Sequence, residues 1–293
     1  MRILRTVRTV AALIALALCG PAAVNTVDAA RAKATAERWQ GSPQERAWRE
    51  GFVPLQSLAL EPGRAVPYWA LVSAHNGAWK LGADLPSRPP APVRVRWSDG
   101  SAALVPLVSA SVAFARLRRP GYDEDASCPA GGCRVLRVVG AVQGKTTMAT
   151  SRGPITVPTW EFTVEGVDEP FRRIAVDPAA MSRPPKARSW QRVYSYRVVA
   201  DNELELQYGH NPCTTTHGAR VYETSAVVVV DVEVRETDVE HCDEMLHTDP
   251  VRTTLDRPLG TRVVLDARSG VPLVPGTEER QFWSEPGWNL LAS

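Results

Sequence analysis

The sequence predicts a mainly β protein, built of antiparallel hairpins in one or two β-rich units, with a short helical arm at the N-terminus. Strand-like runs recur about every ten residues after Gly51. Turn pairs such as Asp99-Gly100 separate runs in which apolar and polar residues alternate. A helical period is almost absent beyond Gly51, so strands account for most of the chain.

The helical arm is predicted over residues 31–51. Ser42 and Glu45 match a capping box, Pro43 stands at the first helical position, and Gly51 ends the helix. Two tryptophans give the arm apolar surface with which to dock on the rest of the chain: Trp39 and Trp48.

The first β-rich unit is predicted over residues 52–181. In PVRVRWSDGSAALVPL the residues Val93, Val95 and Trp97 fall on one face and the intervening arginines on the other, and the Asp99-Gly100 pair predicts a hairpin. CRVLRVVGAV predicts a further strand.

TTMATSRGPITVPTWEFTVEG predicts a second hairpin, which turns at Ser151 to Pro154 and points Trp160, Phe162 and Val164 inward. Pro158 predicts that the second strand of this hairpin is an edge strand or carries a bulge, because proline donates no hydrogen bond to a ladder.

SRPPKARS, residues 182–189, is a linker candidate, although a long loop explains it equally well. A second, disulfide-bonded β-rich unit is predicted over residues 190–280, with hairpins turning at Asp201-Asn202 and at Ser269-Gly270. Between them, AVVVVDVEV predicts a strand with alternate valines on one face. The opposite face carries Asp231, Glu233 and Arg235 and is expected to meet water over its second half.

Residues 1–30 match a signal peptide. Three arginines precede an apolar run of about ten residues, Val10 to Cys19, which is too short to span a membrane comfortably. Gly20-Pro21-Ala22 or Val27-Asp28-Ala29 would suit signal peptidase. We therefore expect an exported protein, secreted or attached to the outer face of the cell membrane, with a mature N-terminus between Cys19 and Arg31.

Cys19 has two interpretations. Leu16 to Cys19 resembles a bacterial lipobox, in which the cysteine is lipidated and anchors the protein to the membrane surface. The residue before the cysteine is Leu18, where the lipobox has Gly, Ala or Ser. The alternative is that Cys19 merely fills the apolar run as a small hydrophobic residue.

Without Cys19 the mature chain has an even set of cysteines, which permits two disulfides in three connectivities. An oxidising compartment preserves such bonds, and sequential pairing is the simplest arrangement. The predicted disulfide residues are Cys128 with Cys133, and Cys213 with Cys242.

The charge of the chain gives no sign of a nucleic-acid partner. The net charge is +2, and from Arg31 onward the chain carries 31 basic and 31 acidic residues. A nucleic-acid binder presents a basic face or stripe, and no long run of like charge occurs here.

Four of the five histidines cluster with two cysteines between positions 210 and 247, and this clustering raises the possibility of a metal site. The candidate ligands are His210, His217, His241 and His247. Structural zinc sites usually have two close-spaced ligand pairs, and adjacent His241 and Cys242 suit that geometry poorly. The exported destination favours a disulfide over a metal, so no metal and no cofactor is predicted.

Other candidate chemistry is weak. GAVQGKTT has three residues, not four, between its first glycine and its Gly-Lys pair, so it fails the phosphate-binding-loop pattern. Asp123, Glu124 and Asp125 lack the alternation of a calcium loop and predict a solvated surface loop. His75 has no nucleophile motif beside it. No catalytic residue is identified.

TSRGPITVPTWEFTVEG, and the later series Cys213, VVVVDVEV, Cys242 and LDRPLGTRVVLD, resemble a family of uncharacterised actinobacterial secreted proteins and lipoproteins. The likeness covers roughly residues 128–275 and leaves residues 31–120 unplaced. The resemblance implies an extracytoplasmic β-rich module, often lipid-anchored, and carries over no catalytic residue.

These observations favour a non-enzymatic binding or interaction module, exported to the cell envelope, whose partner the sequence does not name. The alternative is an extracytoplasmic hydrolase or metal-binding protein whose site assembles only in three dimensions. The aromatic tail, residues 281–293, is expected to dock on its own domain, because exposed apolar patches are rare in soluble monomers.

Overall fold

A computed structural model of the 293-residue chain describes residues 26–60, 62–118, 127–237 and 245–276. These residues form four α-helices: α1 (Thr26–Trp39), α2 (Pro43–Glu50), α3 (Tyr68–His75) and α4 (Ala110–Leu117). They also form thirteen strands, of which the first six are β1 (Trp79–Leu81), β2 (Val93–Arg96), β3 (Ala102–Val105), β4 (Leu136–Met148), β5 (Ile155–Val164) and β6 (Phe171–Ile174).

The other strands are β7 (Val193–Ala200), β8 (Glu203–His210), β9 (Thr214–Glu223), β10 (Val227–Glu236), β11 (His247–Thr254), β12 (Val263–Asp266) and β13 (Val274–Pro275). They build four sheets in the described residues, ordered β1-β4-β5-β6, β2-β3, β12-β10-β9 and β11-β8-β7-β13. The predicted mainly β class is confirmed.

The helical arm consists of two helices joined by a tight turn. Gly41 has a φ of +72°, a left-handed conformation that favours glycine at this turn. Ser42 caps α2 as predicted, since Ser42 Oγ accepts from Glu45 N at 3.0 Å, but the Glu45 carboxylate accepts from Gly41 N at 2.7 Å instead of from Ser42 N. Both tryptophans of the arm are buried, Trp39 at 4% and Trp48 at 6% exposure, so the arm is part of the core.

The first unit contains both predicted hairpins. β2 pairs with β3 around Gly100, which has a φ of +85°, and Val95 and Trp97 are buried as expected. β4 pairs with β5 over its length, and Trp160, Phe162 and Val164 point into a core closed by α3 and α4.

The prediction that Pro158 marks an edge or bulge is wrong. β5 is an interior strand with β4 on one side and β6 on the other. The ladder tolerates Pro158 because β6 pairing begins only at Thr159, and the Pro158 carbonyl accepts from Ala175 N at 2.9 Å. The missing N–H therefore interrupts little of the sheet.

The second unit is a sandwich. The β12-β10-β9 sheet packs on the β11-β8-β7-β13 sheet over a core that includes Leu204, Leu206, Val228 and Val230. The predicted hairpin of β7 and β8 around Asp201-Asn202 forms. The predicted hairpin at Ser269-Gly270 is wrong beyond its turn: one antiparallel bridge joins Leu265 and Pro272, but β12 then pairs with β10 and β13 with β7, each in parallel and in a different sheet.

β10 is buried on both faces, because α1 covers the face opposite the sandwich core. Val227 and Val229 on this outer face belong to the same cluster as Trp39. The expectation that this face meets water from Asp231 onward is therefore wrong at Asp231, which is 7% exposed and lies beside Arg268. Arg235, further along the strand, is exposed.

One hydrophobic cluster joins the arm, the first unit and the second unit. It includes Trp48, Trp97, Ile155, Val229 and Leu265. Residues 182–189, the linker candidate, lie against this body, with Pro184, Pro185 and Ala187 buried. The division of the chain into two units stays a prediction.

The predicted disulfide between Cys128 and Cys133 is present, with a Cα–Cα distance of 4.9 Å. It closes the PAGG turn that leads into β4. Most of the predicted signal peptide, including Cys19, and the aromatic tail 281–293 lie outside the described residues.

Candidate functional site

A small pocket opens at the turn between α1 and α2, where residues 182–190 cross it. These nine residues, SRPPKARSW, are called the strap below. The pocket has a volume of about 50 Å³. Its lining residues include three cationic side chains and three neutral side chains with polar groups: Arg38, Lys186, Arg188, Trp39, Ser42 and Gln44.

α1 fixes the position of Arg38 through Thr35. Arg38 Nη2 donates to Thr35 Oγ1 at 2.8 Å, and the Thr35 hydroxyl donates to the Ala267 carbonyl at 3.2 Å. Thr35 is buried at 2% exposure, so this chain of bonds ties the last turn of α1 to the second unit. Arg38 is exposed to solvent, and this bond to Thr35 restrains its guanidinium beside the pocket.

The charged side chains of the strap point to solvent because its apolar residues are buried against the body of the protein. Pro184, Pro185 and Ala187 are buried, whereas Lys186 and Arg188 are exposed. The Arg188 amide donates to the Ser269 carbonyl at 3.0 Å and anchors the backbone at that point. Two cations of the strap therefore face the cation of α1 across the pocket.

The pocket is strongly basic. Arg38, Lys186 and Arg188 line it, and no acidic side chain lines it in the described part of the chain. Burial, followed by the neighbouring charge of Arg188, lowers the pKa of Arg38. Crowded like charges are unfavourable, and a bound anion would relieve that repulsion.

Two neutral donors accompany these cations. Trp39 is 4% exposed, and its buried indole N–H has no hydrogen-bond acceptor within the described residues. Ser42 Oγ accepts from Glu45 N, which leaves the Ser42 hydroxyl hydrogen for a different acceptor. The Trp39 indole nitrogen is closed to solvent, so the Ser42 hydroxyl is the donor of the two that a group in the pocket can reach.

A second basic cluster lies at the end of the strap. The guanidiniums of Arg192 and Arg268 lie 4.7 Å and 5.3 Å from the ring centroid of Trp190. Burial, and then the charge of Arg268, lowers the pKa of Arg192. Unlike the pocket, this cluster contains a carboxylate, since Arg268 Nε lies 3.2 Å from Asp231 Oδ1.

Asp266 is the fully buried carboxylate of the second unit. Its Oδ2 accepts from Ser269 N and Ser269 Oγ, each at 2.7 Å, and its Oδ1 accepts from Val193 N at 3.2 Å. Burial raises the pKa of Asp266, although these hydrogen bonds oppose the effect. Its contacts close the β12 turn and hold the start of β7, which is a structural role.

The histidine cluster is only partly assembled. His210 at the end of β8 stands opposite His247 at the start of β11, with ring centroids 6.0 Å apart. His210 Nε2 lies 2.8 Å from Asp249 Oδ2, and His210 Nδ1 lies 2.9 Å from the Asn211 carbonyl oxygen. Both ring nitrogens therefore already have protein partners.

The other candidate ligands do not complete a metal site. His217 is exposed on β9, and His241 lies outside the described residues. Where the structure describes the chain, no group of three or more His, Cys, Asp or Glu residues is arranged to hold a metal ion. Cys213 is disulfide-bonded, and its predicted partner Cys242 lies outside the described residues. The pairing of Cys213 with Cys242 stays a prediction.

The remaining motifs of the sequence fall on ordinary structure. GAVQGKTT lies wholly within β4, and no helix follows it as a phosphate-binding loop requires. His75 ends α3, and the acidic residues 123–125 lie outside the described ranges. No helix in the described ranges is long and apolar enough to cross a membrane.

The sequence did not predict the residues of this pocket. SRPPKARS indicated a linker because of its prolines, and its Lys186 and Arg188 gave no separate signal. Arg38 lies far away in the sequence, on an arm whose tryptophans were the more obvious feature. Only the docking of the strap against the α1–α2 turn brings these cations together.

Comparison of the chain with protein-family models, with curated proteins and with solved structures finds no match. The resemblance to actinobacterial secreted proteins and lipoproteins stays a hypothesis.

Proposed function

We propose that this chain is an exported, non-enzymatic binding module of the cell envelope, and that an anionic group of its ligand enters the pocket between α1 and the strap. One observation carries the proposal: Arg38, Lys186 and Arg188 line the pocket without an acidic side chain among its described lining residues. A compact site with this charge balance attracts anions and disfavours cations.

The chemistry of the lining residues supports binding rather than catalysis. A general base or a nucleophile must stand within hydrogen-bond reach of the reacting atom. No histidine, cysteine or carboxylate is found among the described lining residues of the pocket, and arginine stays protonated under ordinary conditions. Lys186 and Ser42 are the lining residues whose types can transfer protons or attack as nucleophiles, but Lys186 is exposed and the Ser42 oxygen caps α2, so these residues are better suited to holding an anion.

The basic and apolar segments of residues 1–30 support export. The disulfide between Cys128 and Cys133 is consistent with an oxidising destination, because such bonds persist there and are rare in the cytosol. An envelope location would bring the pocket close to the anionic polymers and lipids of the cell surface.

The alternative function is an extracytoplasmic hydrolase or metal-binding protein, and the pair of His210 and Asp249 is the observation that favours it. Thr214 Oγ1 lies 3.5 Å from His210 Nδ1, but its hydroxyl donates to the Asn211 carbonyl at 2.8 Å. A hydroxyl committed to that carbonyl is a poor nucleophile. Stoichiometric zinc or copper in protein purified without chelators would support this alternative instead.

Sedimentation with envelope fragments tests the proposal. Mature protein is mixed with protease-stripped envelopes of the producing organism and pelleted at low and at high salt. We expect co-sedimentation that weakens as salt screens the charges. The double variant Lys186→Glu/Arg188→Glu should lose it, because two of the pocket cations become anions.

Arg94→Glu/Arg96→Glu is the matched control. It makes the same change in net charge on exposed arginines of β2, which does not line the pocket. Retained binding in this control, with loss in the pocket variant, supports a specific site. Equal loss in both variants would reduce the interaction to general electrostatic attraction and overturn the proposal.

A further inference from the structure

The pocket at the α1–α2 turn offers more donors than a carboxylate can use. Three cationic side chains line it, and the Gln44 amide and the Ser42 hydroxyl add neutral donors. A carboxylate has two oxygens and a single charge. A phosphate monoester has three terminal oxygens and a charge of about −1.5 to −2 at neutral pH.

The size of the pocket limits what can enter. Pockets for whole small molecules usually occupy about 300–1,000 Å³. The volume here is about 50 Å³, which suits one compact group and leaves the rest of the ligand outside. The site therefore recognises the charged end or a charged branch of something larger.

The first turn of α2 adds little to the preference for an anion. Ser42 caps this eight-residue helix and Gln44 lies in its first turn, and both line the pocket. This end of the helix already has a carboxylate of its own, because Glu45 Oε2 accepts from Gly41 N at 2.7 Å, and the Ser42 and Glu45 amides have partners within the chain. The preference for a doubly charged group therefore rests on the cations of α1 and the strap.

Resting on the proposed binding function, we propose that this pocket binds a phosphoryl group, and in particular a phosphate monoester carried by a larger molecule of the envelope. Arginine can donate two parallel hydrogen bonds to phosphate oxygens, and lysine acts as a point charge. Arg38 and Arg188 would bind the oxygens, and Lys186 would add charge.

Titration with glycerol phosphate tests the proposal directly. The reporter is the indole N–H resonance of Trp39 in a ¹⁵N-labelled protein, identified by its absence in Trp39→Phe. We expect glycerol phosphate to shift this resonance and to bind at least about tenfold more tightly than acetate at equal ionic strength. Its affinity should rise between about pH 5 and pH 7, as the second phosphate proton dissociates.

Lys186→Ala/Arg188→Ala should weaken glycerol phosphate binding by at least about tenfold, while Arg94→Ala/Arg96→Ala should leave it unchanged. All four substituted residues are exposed, so both variants should fold, and matching circular dichroism and melting curves would verify this. Any of three results would overturn the proposal. They are equal affinities for acetate and glycerol phosphate, a Trp39 resonance that does not shift, and an affinity for glycerol phosphate that is unchanged in Lys186→Ala/Arg188→Ala.

Two further arms separate the sources of the phosphoryl group. Vesicles that contain phosphatidic acid test a lipid headgroup, and phosphatidylcholine vesicles are their control. Retention on the first vesicles alone supports a lipid source, whereas binding of soluble glycerol phosphate without vesicle retention supports a phosphorylated polymer. Either result supports recognition of a phosphate monoester.

The outcomes also distinguish this inference from the proposed function. If envelopes stripped of phosphate groups still bind through Lys186 and Arg188, the phosphoryl inference is wrong and the binding module stands. If glycerol phosphate binds in the pocket but envelopes do not co-sediment, the envelope function is wrong and phosphoryl recognition stands.

Discussion

Arg152 in the β4–β5 turn donates to Asp99 in the β2–β3 turn, with Nη2 and Oδ2 2.9 Å apart. The same guanidinium lies 4.3 Å from the centroid of the buried Trp97 ring. Two hairpins that are far apart in sequence are therefore tied together at their turns. Hydrogen bonds from Ser101, and then from Arg152, lower the pKa of Asp99 from 3.8 to about 2.

This arrangement predicts a loss of stability in acid. A lowered carboxyl pKa contributes stability that is fully present above the unfolded value of 3.8 and is lost as the pH falls through about 2. Asp99→Asn removes this contribution, so the variant should have a lower free energy of unfolding than wild type. The difference should be constant near neutral pH and should shrink below about pH 4. Urea unfolding at several pH values measures it. Ser98→Ala, an exposed neighbour without a titratable group, is the control, and a deficit independent of pH would contradict the assignment.

Two tryptophans, one buried and one exposed, test whether the helical arm is part of the hydrophobic core. Trp48 on α2 is 6% exposed and belongs to the shared cluster, whereas Trp190 on the strap is 50% exposed. Trp48→Ala should lower the free energy of unfolding by about 3–5 kcal/mol, because it leaves a cavity in the core. Trp190→Ala should cost about 1 kcal/mol or less, the worth of an exposed cation–π contact. Similar losses in denaturant melts of the two variants would contradict the packing.

Local signals in the sequence were sufficient for much of the fold. Asp99-Gly100 and the Ser42 cap of α2 each act through neighbouring backbone atoms, so their effect does not depend on the rest of the chain. β9 was not predicted, because its threonine run and Gly218 give it no clear alternation of apolar and polar residues. Its pairing with β10 overrides those local preferences, since β10 provides a long, buried partner.

α3 and α4 were also missed. Each is only eight residues long, too short for helical periodicity to stand out from that of the flanking strands. The candidate site could not be predicted for a different reason. Its cations come from α1 and from the strap, and only tertiary packing brings these segments together.

Of the carboxylates in the second unit, we expect Asp266 to cause the largest loss of stability when it is replaced. Asp266→Ala removes the acceptor of the Val193 and Ser269 amides, and each buried amide left unpaired costs about 1–3 kcal/mol. Asp256→Ala, at an exposed position between β11 and β12, should change the stability by less than about 0.5 kcal/mol. Chemical denaturation of both variants measures the difference.

The pH dependence of the Asp266 variant has the opposite sign to that at Asp99. Burial raises the pKa of Asp266 above 3.8, so its contribution is fully present below the unfolded pKa and declines as the pH rises through the folded value. The deficit of Asp266→Ala should therefore be largest in mild acid and smaller at higher pH. A deficit that grows steadily with pH would show that hydrogen bonding to the ionised carboxylate outweighs its burial.

Cys213 provides the last prediction, which concerns the predicted bond to Cys242. Cys213 is disulfide-bonded, and its carbonyl accepts from Thr237 N at 2.8 Å, which holds the two ends of the β9–β10 hairpin side by side. Cys242 follows Thr237 by only a short stretch of chain, so a return to Cys213 is within reach. In the chain-entropy model, closing a loop of about thirty residues contributes about 3.6 kcal/mol, against about 2.2 kcal/mol for the short Cys128–Cys133 loop.

Cys213→Ser should therefore lower the free energy of unfolding by about 2–5 kcal/mol, and by more than Cys128→Ser does. Peptide mapping without reductant should recover a linked peptide that contains Cys213 and Cys242, and denaturant melts of the two variants give the order of stability. Free thiols at both positions, together with stoichiometric metal in the purified protein, would contradict the pairing and favour His210 and His247 as ligands. A larger loss in Cys128→Ser than in Cys213→Ser would instead show that strain or residual unfolded structure outweighs loop entropy.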